Sequence, residues 1–282
     1  MKEFQGKVAV VTGGASGIGR ALAEHAAQLG MKIVLADIEE GALQQARQAL
    51  EAGSAQVLAV KTDVSKAEEV EALAHKTLEH FGAVHLLFNN AGVGAGATIW
   101  DSTLADWQWV LGVNLWGVIH GVHTFVPLML KQGVEAHIVN TASIAGLISG
   151  PGLGIYKVTK FGVVTLSETL YSELTLTGAP IKVSVLCPGW VKTRVMESER
   201  NRPAALQNAA QEPLNPAGEA ILQMVHQAVE TGMAPSQVAE AVFQAIREEK
   251  FYILTHPHFK AAVESRNEDI HLERNPTFTP FM

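Results

Sequence analysis

Short unbroken runs of apolar residues recur along the chain, and each is followed by a longer stretch with apolar positions three and four apart. The short runs fall at 7–12, 32–37, 55–61, 84–89, 136–141 and 181–186, with a brief last one at 251–254. Runs of this length and purity read as strands buried on both faces. The longer stretches, at 18–29, 40–52, 66–81, 103–131 and 155–178, read as helices, the first closed by Gly30. Strand alternating with helix predicts parallel pairing through right-handed crossovers. The expected fold class is α/β: one doubly wound parallel sheet with helices on both faces and a ligand crevice at the strand carboxyl ends.

The alternation fails between about 197 and 235, a stretch rich in Ala and Gln with prolines at 203, 213, 216 and 235. An insertion with one or two helices is expected there, either a lid over the crevice or a surface excursion. No linker composition occurs, so 1–282 reads as a single domain with a variable substrate-lid segment at about 195–235. The most apolar stretch, 110–130, is interrupted by Asn114, His120, His123 and Pro127. It reads as a buried helix or a helix in a subunit contact, not a membrane span.

Composition narrows the function classes. The chain has 282 residues, 48% hydrophobic and 17% charged, enough for a substantial core. Its net charge is -7 and its 21 Lys and Arg are scattered, so a nucleic-acid partner is not expected. Backbone amides can still bind an anionic cofactor locally. The one cysteine, Cys187, excludes an intrachain disulfide and a cysteine metal site, and reads as a small buried residue. His120 with His123 and His256 with His258 lack further ligands, so no metal is expected. The first six residues carry an acid and no long apolar run, so no secretory leader is read and a cytoplasmic location is expected.

The first strand runs into Thr12-Gly13-Gly14-Ala15-Ser16-Gly17-Ile18-Gly19. One glycine permits a tight turn, a second lets backbone approach a pyrophosphate, and a third lets helix pack closely on strand. The helix that follows presents its N-terminal amides to the phosphates. Placed between a first strand and a first helix, this turn makes the predicted sheet Rossmann-type and dinucleotide-binding. Asp37 closes the second strand, where a carboxylate accepts from ribose hydroxyls and repels a 2′-phosphate. Ala15, Ala36 and Ile38 offer no positive charge beside it, so NAD is expected over NADP. Asp37 could also cap a helix, and the two roles can coexist.

With these motifs in order, the chain resembles the short-chain dehydrogenase/reductase family, in its shorter branch, over about residues 5 to 255. The turn Thr12 to Gly19 is similar to that family's glycine motif. Asp63 and Val64 resemble its adenine-contacting pair, and Asn89-Asn90-Ala91-Gly92 its asparagine segment. The resemblance also implies an active-site Asn114, a catalytic Ser143 and the Tyr-x-x-x-Lys pair Tyr156 and Lys160. It places Pro188, Gly189, Val191 and Thr193 beside the nicotinamide. It further implies a homotetramer or homodimer built on the helices at 110–130 and 155–178.

The chemistry of these residues agrees. Tyr156 and Lys160, four apart, share one face of a helix. A free tyrosine titrates near ~10, and a neighbouring ammonium stabilises the phenolate. Tyr156 would then take or give the alcohol proton, Ser143 would hold the same oxygen, and Lys160 would bind the nicotinamide ribose and tune Tyr156. By the resemblance, Asn114 would support a water linking Lys160 to solvent. Each has a plainer reading: an exposed i, i+4 pair, a turn cap for Ser143, a core amide for Asn114.

Ala145, Leu153 and Trp190, with Ile144, Leu147, Ile148, Val93, Gly94, Ala95 and Gly96, predict an apolar substrate pocket for a hydrophobic secondary alcohol or ketone. No arginine is obviously placed to bind a carboxylate substrate, although Arg194 could enter the pocket. Trp107, Trp109 and Trp116 are expected to pack against core or a neighbouring subunit. An acyl-thioester or sugar reductase, or a non-catalytic nucleotide sensor, are the alternatives.

Overall fold

The computed structural model describes residues 1–94, 98–208 and 216–277. Its centre is a seven-stranded, wholly parallel sheet in the order β3-β2-β1-β4-β5-β6-β7. The strands are β1 (Val8–Thr12), β2 (Lys32–Asp37), β3 (Val57–Lys61), β4 (Leu86–Asn89), β5 (Ala136–Thr141), β6 (Ile181–Leu186) and β7 (Tyr252–Ile253). The chain winds outward from β1 to β3, then returns to place β4 on the other side of β1. This reversal opens the crevice between β1 and β4.

Helices cover both faces. On one lie α1 (Gly17–Gln28), α2 (Glu40–Ala52) and α8 (Pro235–Arg247), packing Leu22, Leu43 and Phe243 against Ile33 and Phe88. On the other lie α3 (Ala67–Phe81), α5 (Gly117–Gln132) and α6 (Gly154–Leu176), packing Leu73, Phe125, Met129 and Leu170 against Val10 and Leu87. The expected fold class is the observed one.

The boundaries differ where backbone groups find other partners. The third strand starts at Val57, because the Ala55 N–H still closes α2 on the Leu50 carbonyl at 3.2 Å. The fourth starts at Leu86, because both backbone groups of Val84 bond the Gln132 amide, at 2.8 and 2.7 Å. The helix expected over 103–131 is α4 (Leu104–Leu111) joined to α5 by a π-helical turn, Gly112–Trp116. Such a turn inserts one residue per ring and re-aims side chains, often at functional sites. Here it turns Asn114 fully inward.

By length and composition, Leu104–Gln132 is apolar enough to cross a membrane. In this fold it is the crossover between β4 and β5, with Phe125 and Met129 in the core. In the 195–235 region, 3₁₀ turns at Arg194–Asn201 and Ala204–Leu206 precede α7 (Pro216–Glu230). Pro213, like Ala95 and Gly96, lies outside the described residues. The helices α8 and α9 (Lys260–His271) were not among the expected elements.

One core group has a consequence for stability. His137 is fully buried in β5, with Nε2 2.8 Å from the Ser184 hydroxyl, which itself donates to the Lys250 carbonyl at 2.6 Å. Nε2 therefore carries the proton, and Nδ1 has no hydrogen-bond partner among the described residues. Burial pushes this imidazole down to about 3. The unfolded chain binds the proton near ~6.5 and the native state does not, so stability falls as pH drops through that window. The slope from this one group approaches about 1.4 kcal/mol per pH unit. Urea midpoints followed from neutral to acid pH should fall less steeply in His137→Gln. Parallel slopes in the two proteins would refute the assignment.

Candidate active site

The crevice begins at the glycine turn. Gly13 and Gly17 hold positive φ, 63° and 52°, and a Cβ on Gly13 would lie 2.9 Å from the Ala91 Cα. A Cβ on Gly19 would lie 2.1 Å from the Gly13 carbonyl oxygen. Backbone thus crosses backbone here, as a cradle for a diphosphate requires. Ser16 precedes α1 without capping it by its side chain, and Ser16, Gly17 and Ile18 line the crevice. The helix N-terminus is left facing the place where phosphates would lie. These features fit a dinucleotide.

Thr12, quoted in the motif but given no role by the sequence, ties the two halves together. Its hydroxyl donates to the Phe88 carbonyl at 3.2 Å and accepts from the N–H groups of Asn90 and Ala91, at 2.9 and 3.1 Å. The Asn90 amide donates to the Thr12 carbonyl at 3.0 Å and accepts from Thr141 at 3.3 Å. The ends of β1, β4 and β5 are fixed together, with Asn90, Ala91 and Gly92 on the crevice wall.

Asp37 is nearly buried, and its two oxygens accept from the N–H groups of Ala15 and Glu39, both at 3.0 Å. Burial raises its pKa, and the Glu39 and Ala15 amides oppose that shift. It caps no helix by its side chain; the residue at the start of α2 is Glu39. Asp63 accepts from the Ser65 N–H and hydroxyl, at 3.0 and 2.7 Å, and lines the same end with Val64.

Ala15, Ala36 and Ile38 offer no positive charge beside Asp37, but two arginines distant in the chain reach the nearby Glu39. Arg194 and Arg200 both line the crevice close to Glu39. The Glu39 carboxylate accepts from Arg200 Nη2 at 2.6 Å, Arg200 Nε at 3.0 Å and Asn201 Nδ2 at 2.9 Å. The Arg200 guanidinium, helped by Asn201 and opposed by burial, holds the Glu39 carboxyl below its ordinary pKa. Sequence spacing gives no hint of a contact between residues so far apart in the chain.

The remaining residues gather at the ends of β5 and β6. Ser143 follows β5; its hydroxyl accepts from the Ala145 N–H at 3.1 Å and donates to the Pro188 carbonyl at 3.4 Å. Leu153, at the start of α6, takes a left-handed conformation with φ 55°. A side chain there costs of order 1–3 kcal/mol, a strain that concentrates at functional sites. One turn on, desolvation pushes the Tyr156 phenol above its ordinary pKa, and the Ser143 hydroxyl acts against that shift.

Lys160 Nζ lies 5.4 Å from the centre of the Tyr156 ring and donates to the Thr141 carbonyl at 2.9 Å. Lys160 is 3% exposed, and desolvation lowers its pKa to about 8. Asn114 pairs with the Val93 backbone, accepting from its N–H at 2.8 Å and donating to its carbonyl at 2.9 Å. That is the core-amide bonding expected as its plainer reading. Yet a Cβ on Gly92 would lie 3.5 Å from Asn114 Oδ1 and 3.7 Å from Lys160 Nζ, so both polar atoms flank one backbone position.

Pro188, Gly189, Trp190, Val191 and Thr193 follow β6 along the crevice. His256, singled out in the sequence only as a metal candidate to discount, clamps this loop. Its Nδ1 accepts from the Gly189 N–H at 3.1 Å, and its Nε2 lies 3.0 Å from the Trp190 carbonyl. Met233 adds bonds to Trp190 and Lys192 from the opposite side. The single thiol, Cys187, is buried, and burial pushes it up to about 12.

The cavity lined by Gly13, Asp37, Asn90, Ser143, Tyr156 and Lys160 measures about 840 Å³, within the range of ligand sites. Ala145, Ile148, Leu153 and Trp190 line it, with Met196, Val225, Val229 and Phe259 from the less regular C-terminal third. Trp109 and Trp116 form part of the wall as well as packing, which departs from the expectation for them. Ser198 and Arg202 were missed altogether. Ser198 accepts from the Gly94 N–H at 3.0 Å. Arg202, its side chain 2% exposed, pairs with Asp106 at 2.7 Å and sits 5.0 Å over the Trp109 ring.

Comparison with known proteins agrees with this arrangement. A family model described as short chain dehydrogenase matches residues 7–204. A solved short chain dehydrogenase/reductase from Burkholderia phymatum, in complex with NAD, superposes with a TM-score of 0.97 at 52% identity, covering 100% of both chains. A CLA biosynthesis dehydrogenase/reductase of Lactiplantibacillus plantarum is 36% identical over 271 residues, 94% of this chain and 93% of the relative. A 1-deoxy-11-beta-hydroxypentalenate dehydrogenase of Streptomyces avermitilis is 32% identical over 280 residues, 98% of this chain and 95% of the relative. The fold, the ordered motifs and these likenesses together place the chain in the short chain dehydrogenase/reductase family, as an oxidoreductase.

Proposed function

We propose that the protein moves a hydride between NAD(H) and a hydrophobic secondary alcohol or ketone, with Tyr156 as acid/base. The observation that carries this reading is the convergence of Ser143, Tyr156 and Lys160 in the crevice that starts at the glycine turn. The nicotinamide supplies the hydride acceptor or donor when bound. In oxidation, Tyr156 takes the hydroxyl proton; in reduction, it returns a proton to the developing alkoxide. Ser143 orients the same oxygen and lowers the cost of ionising Tyr156. Lys160 would bind the nicotinamide ribose and bias Tyr156 toward phenolate, and Asn114 would support a water linking Lys160 to solvent.

Asp37 favours NAD, because a 2′-phosphate there would meet a carboxylate. A relative bound to NAD and another named for a hydroxylated compound support the reading. The apolar wall speaks against a sugar substrate, and the presence of both Tyr156 and Lys160 against an idle sensor. We read the segment 194–206 as a lid, tied to the scaffold by Glu39–Arg200 and Asp106–Arg202. Exposed Trp116, Val158 and Tyr171 on the π-helical turn and α6 support assembly into a homodimer or homotetramer. The single buried thiol suits a reducing cytoplasm.

The test is absorbance of the reduced coenzyme with a panel of secondary alcohols and ketones, NAD(H) and NADP(H) in parallel. Turnover with NAD(H) is expected. Coenzyme binding without turnover of any alcohol or ketone would refute the reading.

A further inference from the structure

Three arginines line the crevice, and they differ in how their charge is met. Arg194 and Arg200 are held by carboxylates, Arg194 by Glu197 at 2.8 Å and Arg200 by Glu39 at 2.6 Å. Arg194, the residue expected to enter the substrate pocket, is thus already neutralised. Arg266, on α9, has no carboxylate within 4.0 Å among the described residues. Its guanidinium carbon sits 4.8 Å over the Phe161 ring.

The acid best placed to reach Arg266 is Asp269, one turn further along α9. Asp269 is taken up elsewhere: it accepts from Arg274 Nε at 2.5 Å, the Thr277 N–H at 2.7 Å and the Thr277 hydroxyl at 3.0 Å. The ring of Phe161 covers one face of the guanidinium plane and offers it no hydrogen-bond acceptor. The in-plane N–H fork remains for a group in the crevice, and that fork matches a carboxylate.

Position supports this use. Arg266 lines the same cavity as Tyr156, and the Phe161 ring beneath it belongs to the helix that carries Tyr156. Trp190, Val225, Val229 and Phe259 line the same cavity as Tyr156 and Arg266 and give it apolar wall. One cavity thus holds a proton-transfer group, apolar wall and a cation.

We propose that Arg266 anchors the carboxylate of the substrate, so that the enzyme acts on hydroxy or keto acids whose reacting carbon is separated from the acid by an apolar chain or ring. The proposal rests on the oxidoreductase reading above and names the substrate class for the same site.

The experiment compares secondary-hydroxy alkanoic acids of graded chain length with their methyl esters and with neutral secondary alkanols, by coenzyme absorbance. For the unmodified enzyme, kcat/KM should favour the acid over its ester by about 10- to 100-fold at the best chain length. In Arg266→Leu that ratio should collapse towards one, chiefly through KM, and Arg266→Lys should restore part of it. Raised ionic strength should reduce the acid preference and leave the ester unaffected. An acid-to-ester ratio that Arg266→Leu does not change would overturn the anchor. So would turnover of esters and neutral alcohols with no preference for acids, which would leave the oxidoreductase reading standing. Failure of acids, esters and alcohols alike would overturn that reading and the anchor with it.

Discussion

Tyr156→Phe should lower kcat by about 10³-fold while leaving coenzyme binding nearly intact, because general acid–base catalysis contributes roughly 10²- to 10⁴-fold. The substitution keeps the ring that packs at the crevice and removes only the hydroxyl. Desolvation pushes that phenol above its ordinary pKa, so something must favour its ionised form. Ser143 opposes the shift through a hydrogen bond. Lys160, its Nζ 5.4 Å from the ring centre, is the nearby cation. At an effective dielectric of ~20, unit charges ~6 Å apart interact by roughly 3 kcal/mol, about two pKa units. Both effects favour the phenolate and so oppose the desolvation.

The sign of the pH dependence follows. Lys160, lowered to about 8 by desolvation, is charged below that pH and loses its charge above it. Alcohol oxidation should therefore rise with pH as Tyr156 ionises, and Lys160 can assist that ionisation only while it keeps its own charge. Steady-state rates across pH, with coenzyme binding followed by fluorescence, read both quantities. Turnover in Tyr156→Phe with an unchanged pH profile would refute the assignment of the proton to this residue.

How much of this was legible beforehand depends on range along the chain. Buried parallel strands announce themselves as apolar runs, so β1, β2, β5 and β6 lie where the pattern placed them, to within a residue. The glycine turn was equally plain, since backbone crossing backbone admits only glycine at Gly13 and Gly19. Tyr156 and Lys160 are linked by helical spacing, and Ser143 ends a strand that the pattern had already located.

Contacts set by tertiary approach were not legible. Glu39 meets Arg200, Asp106 meets Arg202, and His256 meets Gly189 across long separations, with nothing periodic to mark them. The π-helical turn at Gly112–Trp116 was hidden for another reason: it preserves helical periodicity on both sides and shifts only the residues between. The C-terminal helix α9 carries a weakly amphipathic, mostly polar sequence, so its place in the crevice wall had no local signal.

Replacing Asp37 and Glu39 together should turn coenzyme preference from NAD towards NADP, moving the ratio of kcat/KM values by about 10²- to 10³-fold. A 2′-phosphate beside Asp37 brings like charges within ~5 Å, a repulsion of roughly 3 kcal/mol per unit charge at an effective dielectric of ~20. That repulsion alone accounts for about a hundredfold discrimination. Asp37→Asn removes the charge while keeping one acceptor, at the cost of leaving one of the Ala15 and Glu39 N–H groups poorly met, about 1–3 kcal/mol.

The second substitution tests what the structure adds to the sequence reading. Glu39 now holds the Arg200 guanidinium by two hydrogen bonds, at 2.6 and 3.0 Å. Glu39→Gln removes its charge, and Arg200 then has reason to turn to a phosphate instead. Arg200 also donates to the carbonyls of Arg194 and Glu197, at 3.1 and 2.8 Å, so it stays at the crevice rim when Glu39 is changed. The two changes should therefore act in the same direction, Asp37→Asn by relieving repulsion and Glu39→Gln by freeing attraction. Single and double variants assayed with both coenzymes and one alcohol separate the two contributions. If Glu39→Gln alone leaves NADP use unchanged while Asp37→Asn raises it, the arginines play no part in choosing the coenzyme. If neither change moves the ratio, discrimination does not reside at the end of β2.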